Sequence, residues 1–204
     1  FIFGSGDLKV NSPNIERCWL DGFVAMRFPI NQAEILLFLN DLIAKGNIDL
    51  VDSIVPRQHI HLEGRTPPPI YKINTNGLYT LFDEPDADGD ILELDFPALA
   101  MNMLGIQTYA DWRSQKDQLH PDYGWRLPSH QEWEKMARGA DDRRYPWGYH
   151  YAPQWSHTHD SHEMRTVRPA TDFPIDESPY GIRAMSGCIR EFTSSYRKKD
   201  GYYV

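Results

Sequence analysis

Apolar residues recur at helical spacing in only three short stretches of this chain, and turn-forming residues punctuate everything between them. That pattern excludes a helical bundle, which needs long uninterrupted apolar stripes. The 204 residues include 15 Pro and 14 Gly, and 13% are aromatic. Such a composition suits a fold in which large side chains pin irregular segments. A hydrophobic share of 41% supplies enough apolar surface for a packed core.

The first stripe is the best defined. Asn31 stands as N-cap, Glu34 at the third helical position is placed to reach back to it, and Ile35, Leu36, Leu39, Leu42 and Ile43 follow before Lys45-Gly46 supplies the stop. A second helix is predicted over 104–116, with Ile106, Tyr109, Ala110 and Arg113 on one face and Gly105 weakening its start. A third opens on a Ser129/Glu132 capping box, buries Trp133, Met136 and Ala137, and ends at Gly139, where a left-handed C-cap belongs. Short strands are expected over 1–5, 18–26 and 189–193 and near Ile182. Over 47–96 no helical period persists, and Pro67-Pro68-Pro69 and Asp86-Ala87-Asp88-Gly89-Asp90 mark turns. This stretch reads as an irregular, insertion-like layer within one domain spanning 1–204.

Charge and hydropathy narrow the partners. A formal net charge of -8, with Arg197-Lys198-Lys199 as the one basic run, opposes a nucleic-acid partner. The longest apolar segment, 35–43, is too short and too amphipathic to span a bilayer. Cys18 and Cys188 are the only cysteines, which leaves a single disulfide possible in principle and makes two buried packing thiols the simpler reading. The sequence opens on Phe1 and not on Met, so an earlier segment of the protein is expected, with the cytoplasm as the default location.

The run Gly124-Trp125-Arg126-Leu127-Pro128-Ser129-His130-Gln131-Glu132-Trp133-Glu134-Lys135-Met136-Ala137-Arg138-Gly139 closely resembles the G-W-R-L-P-T-x-x-E-W-E-x-A-A-R-G signature of formylglycine-generating-enzyme-like domains. Tyr145-Pro146-Trp147-Gly148 matches the family's next signature. Tyr180-Gly181-Ile182-Arg183-Ala184-Met185-Ser186-Gly187-Cys188-Ile189-Arg190-Glu191-Phe192 resembles its Y-G-[LV]-x-D-M-x-G-N-V-W-E-W. Phe1-Ile2-Phe3-Gly4-Ser5, the Asn31 helix, and Phe96-Pro97 with the Tyr109 to Trp112 helix are looser matches. The resemblance implies an α+β, irregular, loop-rich fold of the C-type-lectin kind, with a few short helices packed on small antiparallel sheets. It also implies a C-terminal segment continuing past Val204.

Catalytic members of that family hold copper(I) on a pair of cysteines near the C-terminus and use oxygen to convert a sulfatase cysteine to formylglycine, chemistry for which soft thiolates are the right ligands. No such pair stands in these residues: Cys188 occupies a position where the family usually has Asn, and Cys18 lies in an early strand. Arg190 and Phe192 replace the Trp residues that flank the family's Glu. This variant wording resembles domains appended to bacterial serine/threonine kinases, where they act as non-catalytic binding or sensing modules, although no kinase Gly-rich or catalytic loop is present. The leading expectation is therefore a non-catalytic ligand- or protein-binding domain of a bacterial signalling or defence protein. The alternatives are a copper-dependent formylglycine-generating oxidase whose cysteine segment lies elsewhere, and a variable ligand-binding protein of a diversity-generating retroelement. An iron-dependent sulfoxide synthase of ergothioneine synthesis ranks last, since the histidine-bearing helical domain it needs is not in the sequence.

The resemblance also implies a calcium site made by the carbonyls of Gly187 and Ile189 and the carboxylate of Glu191, with Ala184 standing where the family supplies an amide. The simpler alternative leaves Glu191 hydrogen-bonded to loop amides. His157, His159 and His162, with Asp160, form a second metal candidate whose spacing fits no zinc pattern. His59 and His61 read as a solvated pair on one strand face. Asp86, Asp88 and Asp90 begin like an EF-hand but have Ile91 and Pro97 where Gly and Glu are needed, so they read as a polar turn. Trp125, Trp133 and Trp147 are expected to pin loops, and Arg126 to be a buried, paired or stacked guanidinium.

Overall fold

A computed structural model describes residues 1–5, 14–58, 64–85, 91–120, 122–161, 167–195, 198–199 and 202–203. In chain order the elements are β1 (Ile2–Phe3), β2 (Glu16–Arg17), α1 (Gln32–Ala44), α2 (Ile48–Ile54), β3 (Lys72–Ile73), β4 (Tyr79–Thr80), α3 (Met103–Lys116), α4 (His130–Arg138), β5 (Lys198–Lys199) and β6 (Tyr202–Tyr203). The strands form antiparallel two-stranded ladders, β1 with β2, β3 with β4 and β5 with β6. The architecture is α+β, irregular and loop-rich. The residues group into two compact units, 30–126 and 1–29 with 127–204. Among the described residues no helix is long and apolar enough to cross a membrane.

The unit 30–126 is built on α1. Asn31 caps it by accepting the Glu34 amide at 3.0 Å. The reciprocal arm expected of Glu34 is not made: its carboxylate accepts from Arg113 and from the Tyr109 hydroxyl, a charge-assisted pairing stronger than a bond from a neutral backbone amide. Ile35, Leu36, Leu39 and Leu42 are buried as their spacing predicts, and Phe38 joins them at 0% exposure, meeting Tyr109 edge-on and Trp112 at a tilt. Each such side chain contributes roughly 1.5–3 kcal/mol on burial. Val51 and Ile54 of α2 complete this core. Seven residues make too few turns to display a period, which hides α2 within a stretch that reads as irregular.

Polar groups inside this unit are satisfied. Gln32 is fully buried, donating to the Pro97 carbonyl at 2.8 Å and accepting the Tyr71 hydroxyl at 2.6 Å. Asn40 pairs with both backbone groups of Tyr79, taking the place of a neighbouring strand beside β4. The buried face of α3 is Gly105, Tyr109 and Trp112, not the predicted Ile106, Tyr109, Ala110 and Arg113, because Arg113 turns to Glu34 and Asp117. Gly105 permits a close approach there: a Cβ would sit 2.9 Å from the end of the flexible Met101 side chain and 3.2 Å from the Ile54 carbonyl, so both would have to give way.

The second unit joins β1, β2 and α4. The Ser129/Glu132 capping box forms in both directions, and Phe3 of β1 meets His130 edge-on at 5.3 Å. On α4 the buried positions are Glu134 and Ala137, while Trp133 and Met136 stay half-buried. Glu134 is held by the Gly4 amide at 2.7 Å and by Arg138, whose remaining nitrogens bind carbonyls of the 142–143 loop. Gly139 has φ 78° and ψ -145°, outside the left-handed helical cap predicted for it but open to glycine. Among the described residues the apolar alternation over 18–26 is paired only at its start, where Cys18 exchanges both backbone bonds with Phe1; β2 lies at Glu16–Arg17, and Trp19 and Val24 are exposed. Near Ile182 the pairing shrinks to one bridge between Glu177 and Arg183.

Candidate ligand pocket

The loop over 176–191 is shaped by one buried carboxylate. Asp176 accepts the Ser186 amide at 3.1 Å, and its carbonyl accepts the Ala184 amide at 3.0 Å. Burial raises its pKa to about 6 against the opposing pull of the Ser186 and Met185 amides. Ser178 adds its hydroxyl as acceptor for the Tyr180 and Ile182 amides. Glu177 takes Arg27 and Arg183 on one oxygen.

Beyond Asp176 the loop presses on a neighbouring segment. The Cys188 amide donates to the His157 carbonyl at 2.7 Å, and a Cβ at Gly187 would lie 2.3 Å from that oxygen. Only glycine fits at this approach. Ala184 and Cys188 take positive φ values of 59° and 74°, a region in which Asn is at home and most residues are not.

These contacts wall an open pocket of about 1000 Å³, lined by Phe3, His130, Trp133, His157, Cys188 and Glu191 among others. The Trp133 indole N–H donates to Glu191, so this Trp pins a loop as expected. Trp125 does the same through Asp117, and Trp147 through the His150 carbonyl. The Glu191 side chain is open to the pocket mouth, yet the protein around its carboxylate desolvates it enough to raise its pKa, with Trp133 pulling the other way. Arg126 is exposed but not without a partner, so the buried, paired or stacked guanidinium expected there is met without burial, which would be costly for that charge.

Neither thiol is fully buried, and neither is bonded to the other. Cys18 lies near Glu16, with burial the first cause and the carboxylate the second of its raised pKa. Cys188 donates to the Arg168 carbonyl at 3.3 Å, and burial pushes its pKa up to about 11. Both surroundings therefore favour the thiol over the thiolate at neutral pH, which weakens either group as a nucleophile.

The metal candidates fare differently. The carbonyls of Gly187 and Ile189 and the carboxylate of Glu191 are oxygen donors of the hardness calcium needs. The Gly187 carbonyl already accepts the Ile189 amide, Glu191 is engaged by Trp133, and Ala184 adds no side-chain ligand. The set fits a hard cation in donor type and falls short in charge. His157 lies against Phe173, ring planes 14° apart, and lines the pocket, whereas His159 is exposed, so the two do not converge. His162, His59, His61, Asp86, Asp88 and Asp90 lie outside the described residues. Among those described, no three His, Cys, Asp or Glu side chains gather to hold a metal. Asp176 and Glu134 escape a sequence reading because nothing local marks an acidic residue as buried.

The capped α4, the 145–148 turn and the Asp176-centred loop together define a formylglycine-generating-enzyme-like domain. The family model of the sulfatase-modifying factor enzyme 1-like domain matches residues 4–203, and the chain belongs to that family. It is similar to hercynine oxygenase of Mycolicibacterium smegmatis (strain ATCC 700084 / mc(2)155), 29% identical over 177 residues, covering 83% of this chain and 36% of that protein. It is also similar to inactive C-alpha-formylglycine-generating enzyme 2 of Bos taurus, 28% identical over 113 residues, covering 50% of this chain and 34% of that protein. The chain thus spans about a third of the length of these curated relatives.

Proposed function

We propose that this chain is a non-catalytic ligand- or protein-binding module, serving a larger bacterial signalling or defence protein through the pocket walled by the 184–191 loop. The observation that carries the reading is the open pocket, which Cys188 lines as a protonated thiol held by the Arg168 carbonyl, while Cys18, also protonated, lies elsewhere against Glu16. The relative named as an inactive formylglycine-generating enzyme supports it, since this family includes members without that activity. Calcium on Gly187, Ile189 and Glu191 would brace the loop and shape the mouth of the pocket without taking part in a reaction.

The similarity to hercynine oxygenase over 83% of this chain favours a second reading, in which the domain is one part of an oxidising enzyme whose reactive groups lie outside these residues. The copper-dependent formylglycine-generating oxidase is a case of that reading. The two separate by experiment. The full-length protein, supplied with copper(I), oxygen and a sulfatase-derived cysteine peptide, is expected to leave the peptide mass unchanged, in EDTA or in millimolar calcium. Conversion of the cysteine to formylglycine overturns the binding-module reading.

A further inference from the structure

The 145–155 loop carries six aromatic residues, His150 included, in eleven positions, none of them lining the pocket. Tyr145 and Trp147 stack with centroids 5.2 Å apart and planes within 6°; Tyr151 packs on Tyr145 at 5.8 Å, and Trp155 meets Trp147 edge-on at 5.8 Å. His150 extends the ladder against Trp155 at 5.9 Å. The backbone holds it firmly: Tyr145 and Gly148 exchange both amide–carbonyl bonds, and the Trp147 indole donates to the His150 carbonyl. The rings are nevertheless not buried, with Tyr149 61% and Tyr151 52% exposed.

Two carboxylates flank this face. The Tyr149 hydroxyl donates to Asp142 and the Tyr151 hydroxyl to Asp160, and both aspartates are exposed. Arg143 is occupied by both oxygens of Asp141, and Arg138 by Glu134. Asp142 and Asp160 have no arginine or lysine partner among the described residues; Asp160 lies 3.8 Å from His159, a counter-charge only when that ring is protonated.

We infer that the 145–155 face is a docking surface for a basic segment of a partner protein, whose lysine or arginine side chains lie on the Tyr149 and Tyr151 rings with their charges at Asp142 and Asp160. Aromatic faces attract cations, and a partner that lacked positive charge would strip water from both carboxylates without replacing it. The hydroxyl–carboxylate bonds restrain the tyrosine rotamers before binding, so little side-chain entropy is lost on contact. The net charge of -8 draws the same partner in.

The probe is acetyl-Lys-Lys-Lys-Lys-amide, titrated calorimetrically at about 0.1 M salt. Tyr149→Ser with Tyr151→Ser is expected to weaken binding about 4- to 25-fold, at roughly 2- to 5-fold per exposed ring. Tyr149→Phe with Tyr151→Phe, which keeps the ring faces, retains most of it. Asp142→Asn with Asp160→Asn weakens it further than Asp49→Asn with Asp95→Asn, which removes the same charge elsewhere. In the unmutated protein the peptide should shift the indole N–H resonances of Trp147 and Trp155 and leave that of Trp125 in place. Unchanged affinity without the rings, silent indoles, or binding of cellohexaose at these indoles in place of the lysine peptide overturns the proposal.

Discussion

Asp176 should make the stability of this protein depend on pH in a direction opposite to that of a salt-bridged carboxylate. Its pKa rises from 3.8 to about 6 on folding because burial disfavours the charge more than two backbone amides and Arg183 favour it. The folded state therefore binds the proton more tightly than the unfolded chain, and stability falls as pH rises between those two values. A rise of that size corresponds to about 2 kcal/mol lost between pH 4 and pH 7.5. Other groups act in the reverse sense, Asp141 above all, whose pKa is drawn down to about 2 by the Arg143 side chain. Comparison with Asp176→Asn removes their contribution. Urea unfolding followed by tryptophan fluorescence across pH 4–8 should show the variant gaining about 2 kcal/mol on the unmutated protein as pH rises. A difference that is flat with pH, or that shrinks above pH 6, would refute the reasoning.

Gly187→Ala places a methyl 2.3 Å from the His157 carbonyl oxygen, so the Cys188–His157 hydrogen bond must open. The expected loss is about 2–4 kcal/mol, read as a lower urea midpoint with faster amide exchange at Cys188, and a midpoint within experimental error of the parent contradicts the close approach. Tyr71→Phe leaves the buried Gln32 oxygen without its donor and should cost about 1–3 kcal/mol by thermal unfolding. A cost below about 0.5 kcal/mol would mean that Gln32 finds another partner.

Helices α1 and α4 are readable in the sequence because their signals are local. A cap, a stripe and a stop lie within one segment, and Asn31, Ser129 and Glu132 do what their positions predict. The face of α3 is not readable in this way. Arg113 has the right spacing for a buried stripe, yet it turns to ion pairs with Asp117, one helical turn on, and with Glu34, distant in sequence. The pocket shows the same divide. The Tyr180 to Phe192 signature marks a loop that matters, but the acid that organises it, Asp176, precedes the signature, and the residue that makes Gly187 obligatory, His157, lies thirty positions upstream. A burial contact between distant segments leaves no trace in the periodicity of either.

The departures at Ala184 and Cys188 take on physical meaning once their backbone is known. Both adopt positive φ, where a side-chain amide can replace the lost backbone geometry with local hydrogen bonds and an alanine or cysteine cannot. At Cys188 the strain is offset by packing and by the Arg168 carbonyl, and the same burial that offsets it keeps the thiol protonated. At Ala184 nothing replaces the amide, so the position holds the turn and offers a cation no ligand. Ala184 and Cys188 thus hold the turns of the loop, the first with no polar side chain and the second with a protonated thiol. The loop keeps its wall through the Cys188–His157 and Asp176–Ser186 hydrogen bonds, with the exposed Glu191 carboxylate tied to Trp133 at its edge.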